Sequence, residues 1–251
     1  MATAPGLGPL EMSVLAGDGL VLKGVLEYPE PPGAGRQRWP LAVLAHQYPA
    51  TSDSYAPLVE DLLEMGVATL AFDLRGHGSS IAGPDGPRVV DTPAGFSPDD
   101  FGRAFMSSIA RLEFNRIDDD IVRVAAWGAV QNFIDAGRIL LVGSSVGGSG
   151  ALLAAPKISG LAAVITLGAA GAPAWDNGPN RIRRELEQLG TPCLLTSSEG
   201  DPFEGGSNVT TWSEGLQHVT AKLVPGSDHG MAIYYDVRDD VLGFVKRVMR
   251  L

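Results

Sequence analysis

The stretch Ile139-Leu140-Leu141-Val142-Gly143-Ser144-Ser145-Val146-Gly147-Gly148-Ser149-Gly150-Ala151-Leu152-Leu153-Ala154-Ala155 decides the fold. Its first four residues form an unbroken apolar run, the pattern of a strand buried on both faces. From Val146 to Ala155 the small residues read as a helix. Between the two, Gly143-Ser144-Ser145-Val146-Gly147 has the form G-x-S-x-G, and the strand before it and the helix after it give this short pattern its meaning. A sharp strand-to-helix turn holds its serine in a strained backbone conformation, and glycines on both sides remove the side chains that would collide there. The Oγ of Ser145 is then exposed at a helix N-terminus, whose unpaired N–H groups favour developing negative charge. The plainer reading, a Gly/Ser turn without chemical importance, does not account for the flanking elements.

Outward from this turn, strands and helices alternate. Glu11 to Leu15 and Leu20 to Glu27 read as two antiparallel edge strands joined by Ala16-Gly17-Asp18-Gly19, which is hairpin-turn chemistry. A Pro/Gly-rich stretch, 29–35, precedes the apolar run Leu41 to Ala45, a strand of the parallel type. From Ser54, Tyr55, Leu58, Val59, Leu62 and Leu63 recur at helical spacing until Gly66 supplies a stop. Val67 to Phe72, Arg138 to Val142, Leu161 to Leu167, Cys193 to Thr196 and His218 to Val224 follow as strands. Helices are expected at Asp119 to Ala136, Asn180 to Leu189, Ser207 to Gln217 and Asp236 to Arg250. This alternation implies parallel crossovers, hence an α/β fold with a doubly wound, mostly parallel sheet and an antiparallel start.

The composition agrees. A chain of 251 residues, 45% apolar and 19% charged, is expected to bury one core as a single domain over 1–251. The net charge of -10 excludes nucleic-acid binding, which needs Lys and Arg against phosphates. The longest apolar stretch, Leu161 to Ala170, is too short to span a bilayer, so the protein is expected to be soluble. Cys193 is the single cysteine, which rules out an internal disulfide and a multi-cysteine metal site. Residues 1–9 lack a secretory signal, and a cytoplasmic location is the expectation.

A serine hydroxyl is a poor nucleophile until a base takes its proton. Of the four histidines, His46 and His77 precede Ser145 and His218 begins a strand, whereas His229 lies in Pro225-Gly226-Ser227-Asp228-His229-Gly230, a loop before the final helix. His229 is therefore the expected base, following the chain order serine, acid, histidine. That order puts the acid on the loop after Cys193 to Thr196, where Asp201 is preferred and Glu199 is the runner-up. Asp228 is too close to His229 along the chain to reach its ring. An oxyanion would need two N–H donors. One is expected from Val146 and the other from His46-Gln47-Tyr48-Pro49, with Tyr48 preferred and Gln47 second. For His46, and for the cluster Asp73, Arg75, Gly76, His77 and Gly78, side-chain bonds that hold turns are the simpler role.

One segment exceeds the plan. An insertion at about 83–117 carries a strong helix start, Ser97-Pro98-Asp99-Asp100, and then Phe101, Phe105, Ile109 and Leu112 at helical spacing. Such a stripe packs a helix on the body; its functional alternative is a flap over the active site.

Phe72-Asp73-Leu74-Arg75-Gly76-His77-Gly78-Ser79-Ser80, Gly143 to Gly147, Asp201-Pro202 and His229-Gly230, in this order, resemble motifs of the α/β-hydrolase superfamily, in its serine esterase or dienelactone-hydrolase-like branches. The resemblance runs from about Leu20 to the C-terminus. It implies a serine hydrolase that cleaves a carboxylic ester through an acyl-enzyme, acting on a small acyl substrate without a metal or organic cofactor. Acyl transfer, thioester or amide cleavage by the same residues are the alternatives, and a non-catalytic ligand-binding module is the competitor of another class. Two departures stand out: His46-Gln47 replaces the family's usual His-Gly, and only Gly168 to Thr191 is available where many members carry a large cap.

Overall fold

A computed structural model describes residues 8–29 and 38–251. The Pro/Gly-rich stretch of the sequence reading lies almost wholly outside the described residues, as do residues 1–7 of the N-terminal segment. The strands are β1 (Leu10–Leu15), β2 (Val21–Glu27), β3 (Trp39–Ala45), β4 (Ala68–Phe72), the two-residue pair β5 (Ala82–Gly83) and β6 (Gly86–Pro87), β7 (Ile134–Ser144), β8 (Leu161–Leu167), β9 (Cys193–Ser198) and β10 (Val219–Val224). One sheet runs β10-β9-β8-β7-β3-β4-β2, with β1 on the far side of β2 and the β5/β6 hairpin attached through Val21. Strands β3, β4 and β7 to β10 are mutually parallel, and β1 and β2 are antiparallel additions. Of the two expected edge strands, β2 is interior, because it pairs with β4 as well as β1.

Helices α1 (Ala56–Glu64) and α7 (Tyr234–Met249) cover one face; α3 (Ile117–Ala129), α4 (Val146–Ala154), α5 (Gly178–Leu189) and α6 (Gly205–Ser213) cover the other. The strand β3 shows why the sheet must be covered twice. Leu41, Val43 and Ala45 pack into one core, Ala42 and Leu44 into the opposite one, and all five are at most 1% exposed. Helix α4 is buried along its whole length, and its glycines allow the approach: a Cβ at Gly147 would sit 2.1 Å from the Ala45 carbonyl oxygen.

The helix expected from Asp119 to Ala136 instead ends at Ala129, and β7 starts at Ile134. Tertiary packing overrides local preference there. Gln131 closes a turn by donating its Nε2 to the Trp127 carbonyl, Phe133 packs on Tyr28 and Trp39, and Ile134 pairs with Trp39 of β3. The insertion forms α2 (Pro98–Leu112), opened by a capping box in which the Ser97 hydroxyl accepts from Asp100 N–H and Asp100 reaches back to Ser97. No helix among the described residues is long and apolar enough to cross a membrane.

Candidate active site

The parallel register brings the carboxyl ends of β3, β4, β7, β8, β9 and β10 to one edge of the sheet, where ligands of open α/β folds bind. Ser145 stands there, between β7 and α4, with φ 52° and ψ -121°, a backbone region that non-glycine residues seldom occupy. Its neighbours leave no alternative. A Cβ at Gly143 would lie 2.4 Å from the Gly147 carbonyl oxygen, and Gly147 is pressed against β3 as described. As the first helical residue, Val146 has a backbone N–H with no partner inside α4.

Asp201 turns back from the end of β9 through its N–H bond to the Ser198 carbonyl. Its carboxylate has no exposed surface and faces His229 Nδ1 through both oxygens, at 2.9 and 2.8 Å. Phe203 N–H and the Ser197 hydroxyl also donate to it, at 2.8 and 3.0 Å. With both carboxylate oxygens facing Nδ1, the tautomer that carries its proton on Nδ1 satisfies the pair, and in that tautomer Nε2 has the free lone pair. Glu199, the runner-up acid, is exposed, and Asp228 is exposed beside the ring it cannot orient. Gly168 makes room for the pair: at φ 57°, its Cβ would fall 3.0 Å from Asp201 Oδ2 and 3.2 Å from His229 Nδ1. Sequence reasoning missed Gly168 and Ser197, because nothing but the end of a strand marks either position.

The turn after β3 closes with Ala50 N–H donating to Gln47 O, across a cis peptide between Tyr48 and Pro49. Gln47 and Tyr48 both border the same cavity as Ser145 and His229. Gln47 is held through its Oε1, which accepts from the Ser144 hydroxyl at 2.7 Å. Tyr48 is held by the insertion: its hydroxyl donates to the Asp91 carbonyl, and its ring meets Phe105 and Phe114 edge-on. His46 has the structural role expected of it, since its Nδ1 faces Gln47 O at 2.8 Å and its Nε2 accepts Leu74 N–H at 2.9 Å. Asp73 likewise holds turns, accepting from Ser52 and Ser79. Arg75 is fully committed to Asp120, Asp18 and the Leu112 carbonyl, which ties the C-terminus of α2 to the body.

The cavity measures about 490 Å³ and is walled chiefly by Phe101, Phe105, Phe203, Tyr48, Ala170 and Gly171. Helix α2 packs on the body through Ala104, Ser108 and Leu112, which are buried, while Phe101 and Phe105 border the cavity. Phe203 packs on the His229 ring, 4.7 Å between centroids. Trp175 lies away from the cavity lining, its Nε1 donating to Asp118, and Trp212 is a buried core residue. Ser145 and His229 share the cavity without a hydrogen bond between them. Among the described residues no three His, Cys, Asp or Glu side chains are grouped to hold a metal ion.

The family model of the alpha/beta hydrolase fold matches residues 40–189. The chain belongs to this family. Among solved structures, the α/β hydrolase resembles the acetyl xylan esterase from Paenibacillus sp. R4, with TM-score 0.68 and 17% identity over 97% of this chain and 86% of that one. Est1E from Butyrivibrio proteoclasticus, solved with ferulic acid, gives TM-score 0.67 and 19% identity over 96% and 100% of the two chains. Dienelactone hydrolase from Anabaena variabilis gives TM-score 0.62 and 19% identity over 96% and 97%. At such identities the likeness is one of fold. No curated protein matches the sequence.

Proposed function

We propose that this α/β hydrolase cleaves carboxylic esters through an acyl-enzyme, with Ser145 as nucleophile, His229 as general base and Asp201 as the residue that orients and charges the base. The observation that carries the reading is the buried Asp201 carboxylate bonded to His229 Nδ1, with His229 and Ser145 bordering the same cavity. His229 Nε2 takes the Ser145 proton as Oγ attacks the ester carbonyl carbon. The tetrahedral oxyanion is met by the N–H groups of Val146 and Tyr48. Collapse expels the alcohol, which takes the proton from His229, and water activated by the same nitrogen releases the acid. Because the two side chains are not hydrogen-bonded to each other, the first proton transfer requires a rotation of the Ser145 hydroxyl or the imidazole, of the kind substrate binding brings about. The segment 83–117 serves as one wall of this site within the same domain.

The similar folds include two named as esterases or hydrolases of lactones, which is the same carbonyl chemistry. The test is Ser145→Ala: turnover of p-nitrophenyl acetate and labelling by a fluorophosphonate probe should both disappear. Turnover that survives the substitution would remove Ser145 from the mechanism.

A further inference from the structure

A glycine in the first turns of a helix has a cost, because glycine is among the least helix-favouring residues. Gly102 sits in the second turn of α2, between the cavity-bordering Phe101 and Phe105, and itself borders the cavity. Neither usual reason for a glycine applies. Its φ is not left-handed, and a Cβ built there meets no heavy atom within 4 Å. Gly171, also on the cavity wall, is the contrast: its φ is 70° and a Cβ would come within 2.9 Å of the Phe105 ring, so the backbone demands glycine. At Gly102 the missing side chain makes open space and nothing else.

The surrounding wall says what the space suits. Phe101, Phe105, Phe203 and Tyr48 supply aromatic surface, and no Lys, Arg, Asp or Glu is among the lining residues. A volume of about 490 Å³ falls in the range of small-molecule sites, roughly 300–1,000 Å³. A carboxylate placed there would lose its hydration without a cationic partner.

The geometry points to Gly102 as a specificity-determining residue, whose absent side chain admits an uncharged aryl or medium-length alkyl part of the ester. This rests on the hydrolase reading of the same cavity. The experiment compares kcat/KM for p-nitrophenyl acetate and hexanoate and for the adipate monoester, which carries a terminal carboxylate on a chain of similar length. The wild type should prefer hexanoate to the adipate monoester at least about tenfold. Gly102→Leu should lower the hexanoate-to-acetate ratio at least about tenfold, with Gly102→Ala between the two. Both substitutions improve helix propensity, and a melting temperature no lower than that of the wild type verifies the fold. A folded Gly102→Leu protein with an unchanged ratio overturns the assignment, and so does equal turnover of the adipate monoester. A wild type that hydrolyses none of these esters sinks the hydrolase reading instead. The cavity is then read by calorimetric titration of the Ser145→Ala protein with p-nitrophenyl hexanoate. Adding Gly102→Leu should weaken binding about tenfold, and equal binding would overturn the role of Gly102 by itself.

Discussion

His229 Nδ1 lies 2.8 Å from Oδ2 of Asp201, a carboxylate without exposed surface that also accepts from Ser197 and Phe203. A neutral amide in its place keeps the shape but can present its NH₂ group to the ring, which favours the wrong tautomer. Asp201→Asn should therefore lower kcat by roughly 10²- to 10⁴-fold with little change in KM, the behaviour of such groups in serine hydrolases generally. Steady-state kinetics on p-nitrophenyl acetate decide it. A loss confined to KM would mean that Asp201 only shapes the cavity.

Gly168 lies within van der Waals reach of this pair at a positive φ, so Gly168→Ala should push Asp201 and the His229 loop apart. Misplacement by a fraction of an ångström to 1 Å costs up to about 10²-fold in rate. The expected result is a folded protein, by circular dichroism, with kcat down by one to two orders of magnitude. Wild-type kcat would show that the loop absorbs the methyl group.

Ser145 makes a separate, thermodynamic prediction. Its φ of 52° and ψ of -121° store roughly 1–3 kcal/mol that glycine does not incur, against about 0.4–1 kcal/mol for the extra freedom glycine gives the unfolded chain. Ser145→Gly should be more stable than Ser145→Ala by about 1 kcal/mol in urea unfolding, with both unable to hydrolyse esters. Equal stabilities would show that the elbow stores no strain at this residue.

What the sequence disclosed follows from how each feature is encoded. Leu41 to Ala45 is apolar without interruption and Leu161 to Leu167 is broken only by Thr166, a pattern that strands buried on both faces require, so the parallel sheet was readable before any contact was known. The convergence of Asp201 with His229 followed from chain order, and the choice over Glu199 has a local cause: β9 runs on to Ser198, leaving Glu199 in solvent while the next turn brings Asp201 back. The end of α3 was not readable, since Phe133 and Ile134 are drawn into the sheet by Tyr28 and Trp39, about a hundred residues away in the chain. The positions of Trp175 and Phe203 were equally hidden. One bonds Asp118 in the body and the other packs on His229, and no periodicity distinguishes them.

Arg75 and Asp120 are each 1% exposed and joined by two bonds, 2.7 and 3.0 Å. Removing one partner of a buried pair strands the other charge, at a cost of about 3–5 kcal/mol. Asp120→Asn should lose stability on that scale. Arg88→Ala, which breaks a pair with Asp18 at the more exposed end of the network, should lose about 1 kcal/mol or less. Urea denaturation of the three proteins is the measurement, and an Asp120→Asn loss below 1 kcal/mol would mean that Asp18 alone satisfies Arg75.

His46 and His77 stand edge to face, 4.9 Å between centroids, in a buried cluster, and burial lowers them to about 4 and about 3 from the usual 6.5. For His77 the neighbouring His46 adds to the lowering, while Asp73 and the carbonyls facing both rings oppose it only in part. The sign follows from proton counts. Between pH 6.5 and about 4 the unfolded chain binds these protons and the folded chain does not, so stability rises with pH across that window and is lost as pH falls through it. From pH 7 to pH 5 each ring should remove about 2 kcal/mol. His77→Asn retains an amide donor for the Arg75 carbonyl, which His77 Nδ1 now meets at 3.0 Å, and removes the titrating group. Unfolding free energies at pH 7, 6 and 5 should therefore fall less steeply in this variant, by about 2 kcal/mol over the range. Parallel curves for the two proteins would show that His77 carries none of the acid sensitivity.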